Sequence, residues 1–249
     1  MNIPSLHKHL VALDRSAHRQ LRIKPQAPDW TVASGLNSMP VLAVEFGDLC
    51  RDYPILFVRA PGTDGAASVA PIAVFGLAPQ ENLFLDGARW RAQAMPAALV
   101  AYPFSIARVD KQQQKALCID AAWPGFSQTE GQPLFNDDGS LGTHLQAMQK
   151  QLDQFDFEAQ RTVEICRWLV EKQLLREMRF DADLPDGQKL QVEGFLTVDE
   201  SKFAALGDAD VLLIFRNGLL GLMQAHFISM GNMRKLVQWR VARAAAVSA

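Results

Sequence analysis

Between Leu141 and Leu174 the residues Leu141, Leu145, Met148, Leu152, Phe155, Ala159, Val163, Cys166, Val170 and Leu174 recur at steps of three and four. That spacing places them on one stripe of an α-helix, with Gln149, Lys150, Asp153, Glu158, Arg167 and Lys172 mainly off it. A helix of this length runs for roughly 50 Å at the usual rise per residue. Its stripe must be covered, and the simplest cover is a sheet of the same chain. The spacing also approaches that of a/d heptads, which makes a second copy of the chain the alternative cover and a homodimer the alternative assembly. Ser140 stands where a helix N-cap is wanted.

The strands to pair with such a helix are legible on both sides of it. Short apolar runs at Ile55–Val58, Ile72–Leu77, Leu83–Leu85 and Leu117–Ile119 are separated by turn signals such as Gly62-Thr63-Asp64-Gly65 and Asp86-Gly87. Gaps so short leave little room for crossover helices, so the sheet is expected to be largely antiparallel. After the helix, Met178 and Phe180 alternate on one arm of a hairpin and Leu190, Val192, Leu196 and Val198 on the other, with the turn at Leu184-Pro185-Asp186-Gly187. Asp199 and Asp208 then cap helical stretches, a break is expected at Asn217-Gly218, and a last helix carries Leu219, Leu222, Met223, Phe227 and Met230 towards Arg243.

Upstream, residues 1–17 read as a flexible arm, Leu21 and Ile23 as part of a strand, and Pro40 as the first turn of a helix bearing Val41, Leu42, Phe46 and Leu49. The fold class is therefore α+β: a sheet from the N-terminal half and a later hairpin, packed with a long central helix and C-terminal helices. No Gly/Ser linker divides residues 1–249, so one domain is expected.

Charge and cysteine usage narrow the function. The formal charge is −2, without the basic excess of a nucleic-acid binder. The one basic-leaning stretch, Arg234, Lys235, Arg240 and Arg243, reads as a solvated helix face. Cys50, Cys118 and Cys166 lack CxxC spacing and suit a reducing compartment. The stretch Val211–Met230 is apolar, but Arg216, Asn217, Gln224 and His226 interrupt it. A spanning helix wants about 20 predominantly apolar residues, so buried core helices explain it better. With no secretory signal pattern at the N-terminus, the expected location is the cytoplasm, with peripheral contact at the inner membrane as the variant reading.

No phosphate-binding glycine loop, nucleophile elbow or zinc-type spacing occurs. No catalytic residue, metal or cofactor is assigned. Two segments are the ligand-binding candidates. His226 and Ser229 share a helix face, and Asn232 follows about two turns on; amid Met223, Phe227 and Met230 they can line a pocket, or fix helix packing through buried hydrogen bonds. Glu81 and Asn82 lie at a loop-to-strand junction, where they can orient a ligand or satisfy turn backbone.

Several separated pieces form an ordered set. Tyr53-Pro54-Ile55-Leu56-Phe57, Glu81-Asn82-Leu83-Phe84 with Trp90, Pro96-Ala97 and Tyr102-Pro103-Phe104 come first. Gly131-Gln132-Pro133-Leu134-Phe135 with Asp138-Gly139, Gly194-Phe195 with Val198-Asp199-Glu200, and Ala225-His226-Phe227-Ile228-Ser229 follow. This series resembles the SapC-like family of bacterial proteins from about His18 to Leu236. The resemblance implies a soluble accessory protein, non-enzymatic, tied to export or assembly of surface-layer or other cell-envelope proteins, with an envelope protein as partner. It carries no catalytic residues across. The alternative is a small-molecule binder or enzyme with its pocket near His226.

Overall fold

Most of the amphipathic stripe lies on a single helix of 29 residues, Thr143–Glu171, in the computed structural model, which describes residues 6–61, 67–108, 115–183 and 189–248. Leu141 and Leu174 fall outside the helix, and Val163 and Val170 are exposed while Thr162, Cys166 and Leu169 are buried. In chain order the strands of the N-terminal half are β1 (Leu10–Ala12), β2 (Arg22–Ile23), β3 (Ser38–Pro40), β4 (Ile55–Pro61) and β5 (Ala67–Val74). After them come β6 (Leu85–Asp86), β7 (Arg89–Trp90), β8 (Phe104–Arg108), β9 (Lys115–Asp120), β10 (Phe126–Ser127) and β11 (Gln132–Pro133). The later hairpin is β12 (Leu175–Asp183) and β13 (Lys189–Val198). The helices are α1 (Phe46–Leu49), α2 (Ala97–Val100), α3 (Thr143–Glu171), α4 (Glu200–Ala204), α5 (Asp208–Arg216), α6 (Leu219–Ser229) and α7 (Asn232–Ser248). The protein is α+β, and all strand pairings among the described residues are antiparallel.

Contacts gather into two compact units, each discontinuous in sequence. The larger comprises Trp30–Pro96 and the described residues from Glu158 onward. Its five-stranded sheet has the order β12-β13-β4-β5-β3. β4 and β5 form its centre, and Tyr53, Ile55, Leu56, Phe57, Ile72 and Phe75 are wholly buried around it. In the hairpin, Met178 faces Phe195 and Phe180 faces Val192, so β13 has one more residue than β12 at that point. Gly194, at φ +88°, supplies the left-handed conformation that this bulge requires. The expected turn at Leu184–Gly187 and the expected Gly62–Gly65 turn both lie outside the described residues.

The smaller unit is built from Ser5–Asp29 and Ala97–Phe157, and its described part begins at Leu6. It holds two three-stranded sheets, β1-β9-β8 and β10-β2-β11. Its core joins Phe104, Ile119, Leu134, Phe135, Leu145 and Leu152. Within the expected arm, Leu10–Ala12 pair with Asp120, Ile119 and Cys118 of β9. The arm is anchored there by Asp120, whose carboxylate accepts the N–H groups of Lys8 at 2.8 Å and His9 at 2.9 Å.

Several local expectations are corrected. The helix placed at Pro40 begins instead as a short 3₁₀ turn at Ala43, because Ser38–Pro40 pair with β5. The Glu45 carboxylate accepts the Leu42 N–H at 2.7 Å, so that N–H finds a partner just ahead of the turn. Ser140 does not cap α3: its hydroxyl accepts from Asn136 and its N–H donates to Asp138, which closes a turn three residues before the helix. Leu83 and Phe84 are core residues of a loop rather than a strand, and the hairpin starts one residue later at Leu85, turning at Gly87. Asp199 does cap α4, through Ser201 and Lys202.

The apolar stretch from Val211 splits at Asn217-Gly218. Gly218 adopts φ +77°, which an L-residue reaches only at a cost, and α5 meets the following helical segment at 89°. Among the described residues no single helix is long and apolar enough to cross a membrane. The two arms differ in fate. Leu219, Met223, Ala225, His226 and Ser229 of α6 are buried, whereas in α5 only Ile214 is. A core role for the whole stretch therefore holds for α6 and fails for α5, where Phe215 is 70% exposed.

Candidate functional site

α6 carries its polar side chains on the face turned towards β4, because His226 and Ser229 are one turn apart. Both are fully buried. Nδ1 of His226 lies 2.9 Å from the Ile55 carbonyl oxygen. Nε2 lies 2.9 Å from Thr197 Oγ1 and 3.2 Å from the Val198 nitrogen. A backbone N–H only donates, so Nε2 must be the accepting nitrogen and Nδ1 the protonated one. The ring is thereby locked as one neutral tautomer between β4 and β13. Burial drives its pKa down to about 4, with the Ile55 carbonyl as a weaker opposing influence. Phe57 closes over the ring with centroids 5.3 Å apart.

Ser229 continues the same seam. Its Oγ accepts the Ile55 N–H at 3.0 Å and donates to the His226 carbonyl at 2.5 Å. At the start of α7, the Asn232 amide donates to the carbonyls of Cys50 at 2.8 Å and Tyr53 at 3.1 Å. His226, Ser229 and Asn232 thus converge on one target, the main chain from Cys50 to Ile55 that leads into the central strand. Those backbone groups have no ladder partner at that end of the strand, and buried amides and carbonyls must be satisfied.

Glu81 and Asn82 form a second cluster. The Glu81 carboxylate accepts the N–H groups of Leu77 at 2.7 Å and Ala78 at 3.2 Å. The Asn82 amide donates to the Ala33 carbonyl at 2.8 Å, and its oxygen accepts the Phe84 N–H at 3.0 Å. α7 reaches this cluster as well: Arg240 stands 3.7 Å from Glu81, and Arg243 donates to the Asn82 carbonyl at 3.1 Å. Asn232 and Arg240 are eight residues apart on α7, about 12 Å along its axis, so the helix links the two clusters without merging them.

The basic stretch of α7 is accordingly only half a solvated face: Arg234 and Arg243 are exposed, whereas Lys235 and Arg240 are half-buried. Lys235 lies 3.4 Å from Asp52, and its ammonium sits 5.2 Å from the Trp239 ring centre. Arg91 flanks the same ring at 5.5 Å. Beneath them Tyr53, Phe75, Phe84 and Trp90 pack ring on ring, with Tyr53 and Phe84 stacked at 4.4 Å. The Trp90 N–H donates to the Tyr53 hydroxyl, which donates on to the Ala94 carbonyl, each at 2.6 Å. Sequence reasoning missed this cluster as a unit. The signal was the aromatic residues spread over Tyr53 to Trp90, whose meeting depends on the turns between them.

In the smaller unit the polar centre is Asp120, which is fully buried. Burial pulls its pKa upward, but the N–H groups of Lys8, His9 and Ala122 and the Tyr102 hydroxyl together outweigh that and hold it below the ordinary carboxylate range. The Tyr102 hydroxyl, 3.2 Å away, is pushed up in turn by its own burial and by that carboxylate. A groove of about 660 Å³ lies elsewhere in this unit, lined by Arg19, Arg22, Gln128, Phe135, Asn136 and Asp137. Arg19 donates to the Asp137 carbonyl at 2.6 Å and Arg22 to that of Gly131 at 3.0 Å. Among the described residues no group of three or more His, Cys, Asp or Glu side chains is arranged to hold a metal ion.

These features define an α+β protein whose interior polar side chains brace the backbone of an antiparallel sheet. The sequence model of the SapC family matches residues 13–236 of the 249-residue chain, and the chain belongs to that family. No curated protein and no solved structure matches it.

Proposed function

We propose that this member of the SapC family is a non-enzymatic accessory protein that serves export or assembly of surface-layer or other envelope proteins. It would work from the cytoplasmic side and act through protein contact rather than bond chemistry. The observation that supports this reading best is the commitment of His226, Ser229 and Asn232. The ring nitrogens of His226, the hydroxyl of Ser229 and the amide N–H groups of Asn232 are spent on β4, β13, the approach to β4 and, for the Ser229 proton, the His226 carbonyl. A histidine held as one neutral tautomer, with a pKa near 4, is poorly placed to move protons at neutral pH. Deleting the gene and comparing envelope fractions by quantitative proteomics tests the proposal. Loss or mislocation of surface-layer or other envelope proteins, restored by the wild-type gene, is the expected result. An unchanged envelope would overturn it.

A small-molecule binder is the second reading, and the groove beside Arg19 and Arg22 favours it. Its volume falls in the range of ligand sites, and two guanidinium groups would suit an anionic ligand. Native mass spectrometry of the purified protein checks this: a retained anionic metabolite, lost in an Arg19→Ala/Arg22→Ala variant, supports it. A ligand-free mass together with no thermal shift across an anion panel counts against it.

A further inference from the structure

α5 is held to the larger unit by few contacts. Ile214 is its one buried side chain, Lys172 in the turn just after α3 pairs with Asp210 at 2.8 Å, and Arg161 of α3 reaches the Asn217 carbonyl at 3.5 Å. The remaining apolar side chains are open to solvent: Val211 is 44% exposed, Leu212 and Leu213 48% each, and Phe215 70%. The helix presents two neighbouring i, i+4 rows, the first opposite the buried Ile214 and the second on its flank. One row is Asp208, Leu212 and Arg216; the other is Val211 and Phe215.

The first row reads acidic, apolar, basic, with Leu212 at its midpoint. Such a row complements itself when a second copy is laid antiparallel across it. A two-fold axis at Leu212 brings Asp208 of each copy level with Arg216 of the other, and the rows of one helix enter the grooves of its mate. Among the described residues neither Asp208 nor Arg216 has an ion-pair partner, since Lys172 takes Asp210 instead.

Val211, Leu212 and Phe215 lie side by side on the helix and are exposed together, an apolar strip of the kind that forms the dry centre of a protein interface. A lipid surface fits less well. Interfacial helices carry Lys and Arg on their polar flank, whereas α5 has Asp208 and Asp210 in its first turn and Arg216 as its one basic residue.

We propose that α5 is a self-association surface, on which two copies of this chain pair antiparallel about Leu212 with reciprocal Asp208–Arg216 contacts. The test uses the full chain in light scattering coupled to size exclusion, with circular dichroism confirming that each variant is folded. Wild type is expected to run at twice the chain mass, and Asp208→Arg and Arg216→Asp each to dissociate at least tenfold more readily. An equimolar mixture of those two variants is expected to pair again. The row is then positive at both ends on one chain and negative at both ends on the other, so each end meets its opposite. Leu212→Cys is expected to cross-link to itself on mild oxidation, against a low background because Cys50, Cys118 and Cys166 are buried. A monomeric wild type at 100 µM, or a dimer indifferent to both reversals, overturns the proposal. So does a monomer that co-sediments with phosphatidylglycerol vesicles and loses this with Phe215→Asp, which would make α5 a lipid-contact helix.

Discussion

Replacing His226 by glutamine isolates the energetics of the seam between α6 and the central sheet. At pH 7.5 the loss falls on two buried backbone groups, the Ile55 carbonyl and the Val198 N–H, which a glutamine at that position reaches poorly. Each unsatisfied buried group costs about 1–3 kcal/mol, so a destabilisation of about 3 kcal/mol is expected. The pH dependence is more diagnostic. The folded-state pKa of about 4 lies below the ordinary 6.5, so between those values the unfolded chain holds a proton at His226 that the folded chain does not. Stability therefore rises with pH across that window and falls on acidification.

The full window corresponds to about 3.4 kcal/mol, at about 1.36 kcal/mol for each of the 2.5 units between 4 and 6.5. About 2.5 kcal/mol of that is already expressed at pH 4.5. The glutamine variant has no such titration. Its deficit relative to wild type is expected to shrink from about 3 kcal/mol at pH 7.5 to below about 1 kcal/mol at pH 4.5, whatever the carboxylates do in both proteins. Urea unfolding of the two proteins at both pH values measures this. Imidazole nitrogen shifts in the wild type give the pKa independently. A deficit that does not change with pH, or a His226 that titrates near 6.5, would refute the buried neutral tautomer.

Other outcomes follow from the same geometry. Ser229→Ala leaves the Ile55 N–H without its acceptor and is expected to cost about 1–3 kcal/mol in thermal or urea unfolding. Gly218→Ala forces an L-residue to φ +77° at the α5–α6 corner, with an expected cost of about 1–2 kcal/mol. Asp120 has a depressed folded pKa, so its contribution is present above the ordinary pKa of 3.8 and lost as pH falls through the folded value. Asp120→Asn is expected to remove that part of the acid sensitivity, visible in the amide exchange of Lys8 and His9. The Cys166 thiol is pushed up to about 12 by burial and is expected to resist maleimide at pH 7 until the chain unfolds.

The elements written in local periodicity were legible from sequence, and those written in distant contacts were not. α3 and the hairpin repeat their apolar residues at 3.6 and 2, so one short window reveals each. β1 lies inside the segment that reads as an arm, and only its pairing with β9 makes Leu10–Ala12 a strand. At the candidate site, the shared face of His226 and Ser229 follows from helical spacing. Their target does not, since Ile55 lies 171 residues before His226. The same holds for Lys235 and Arg240: a basic helix end reads as solvated until the fold brings Asp52 and Glu81 against it. Exposure of Leu212 and Phe215 ran against composition, because local sequence registers greasiness but not whether anything is left to cover it.

The seam at Ile55 also fixes an order of events during synthesis. Ribosomes add about 5–20 residues per second, so the brace from α6 arrives roughly 9–34 s after the strand it supports. Through that interval β4 and β5 leave the ribosome with an uncovered greasy surface and loose polar ends. A message truncated before His226 would yield a nascent sheet that never receives its cover, a natural client for chaperones and proteases.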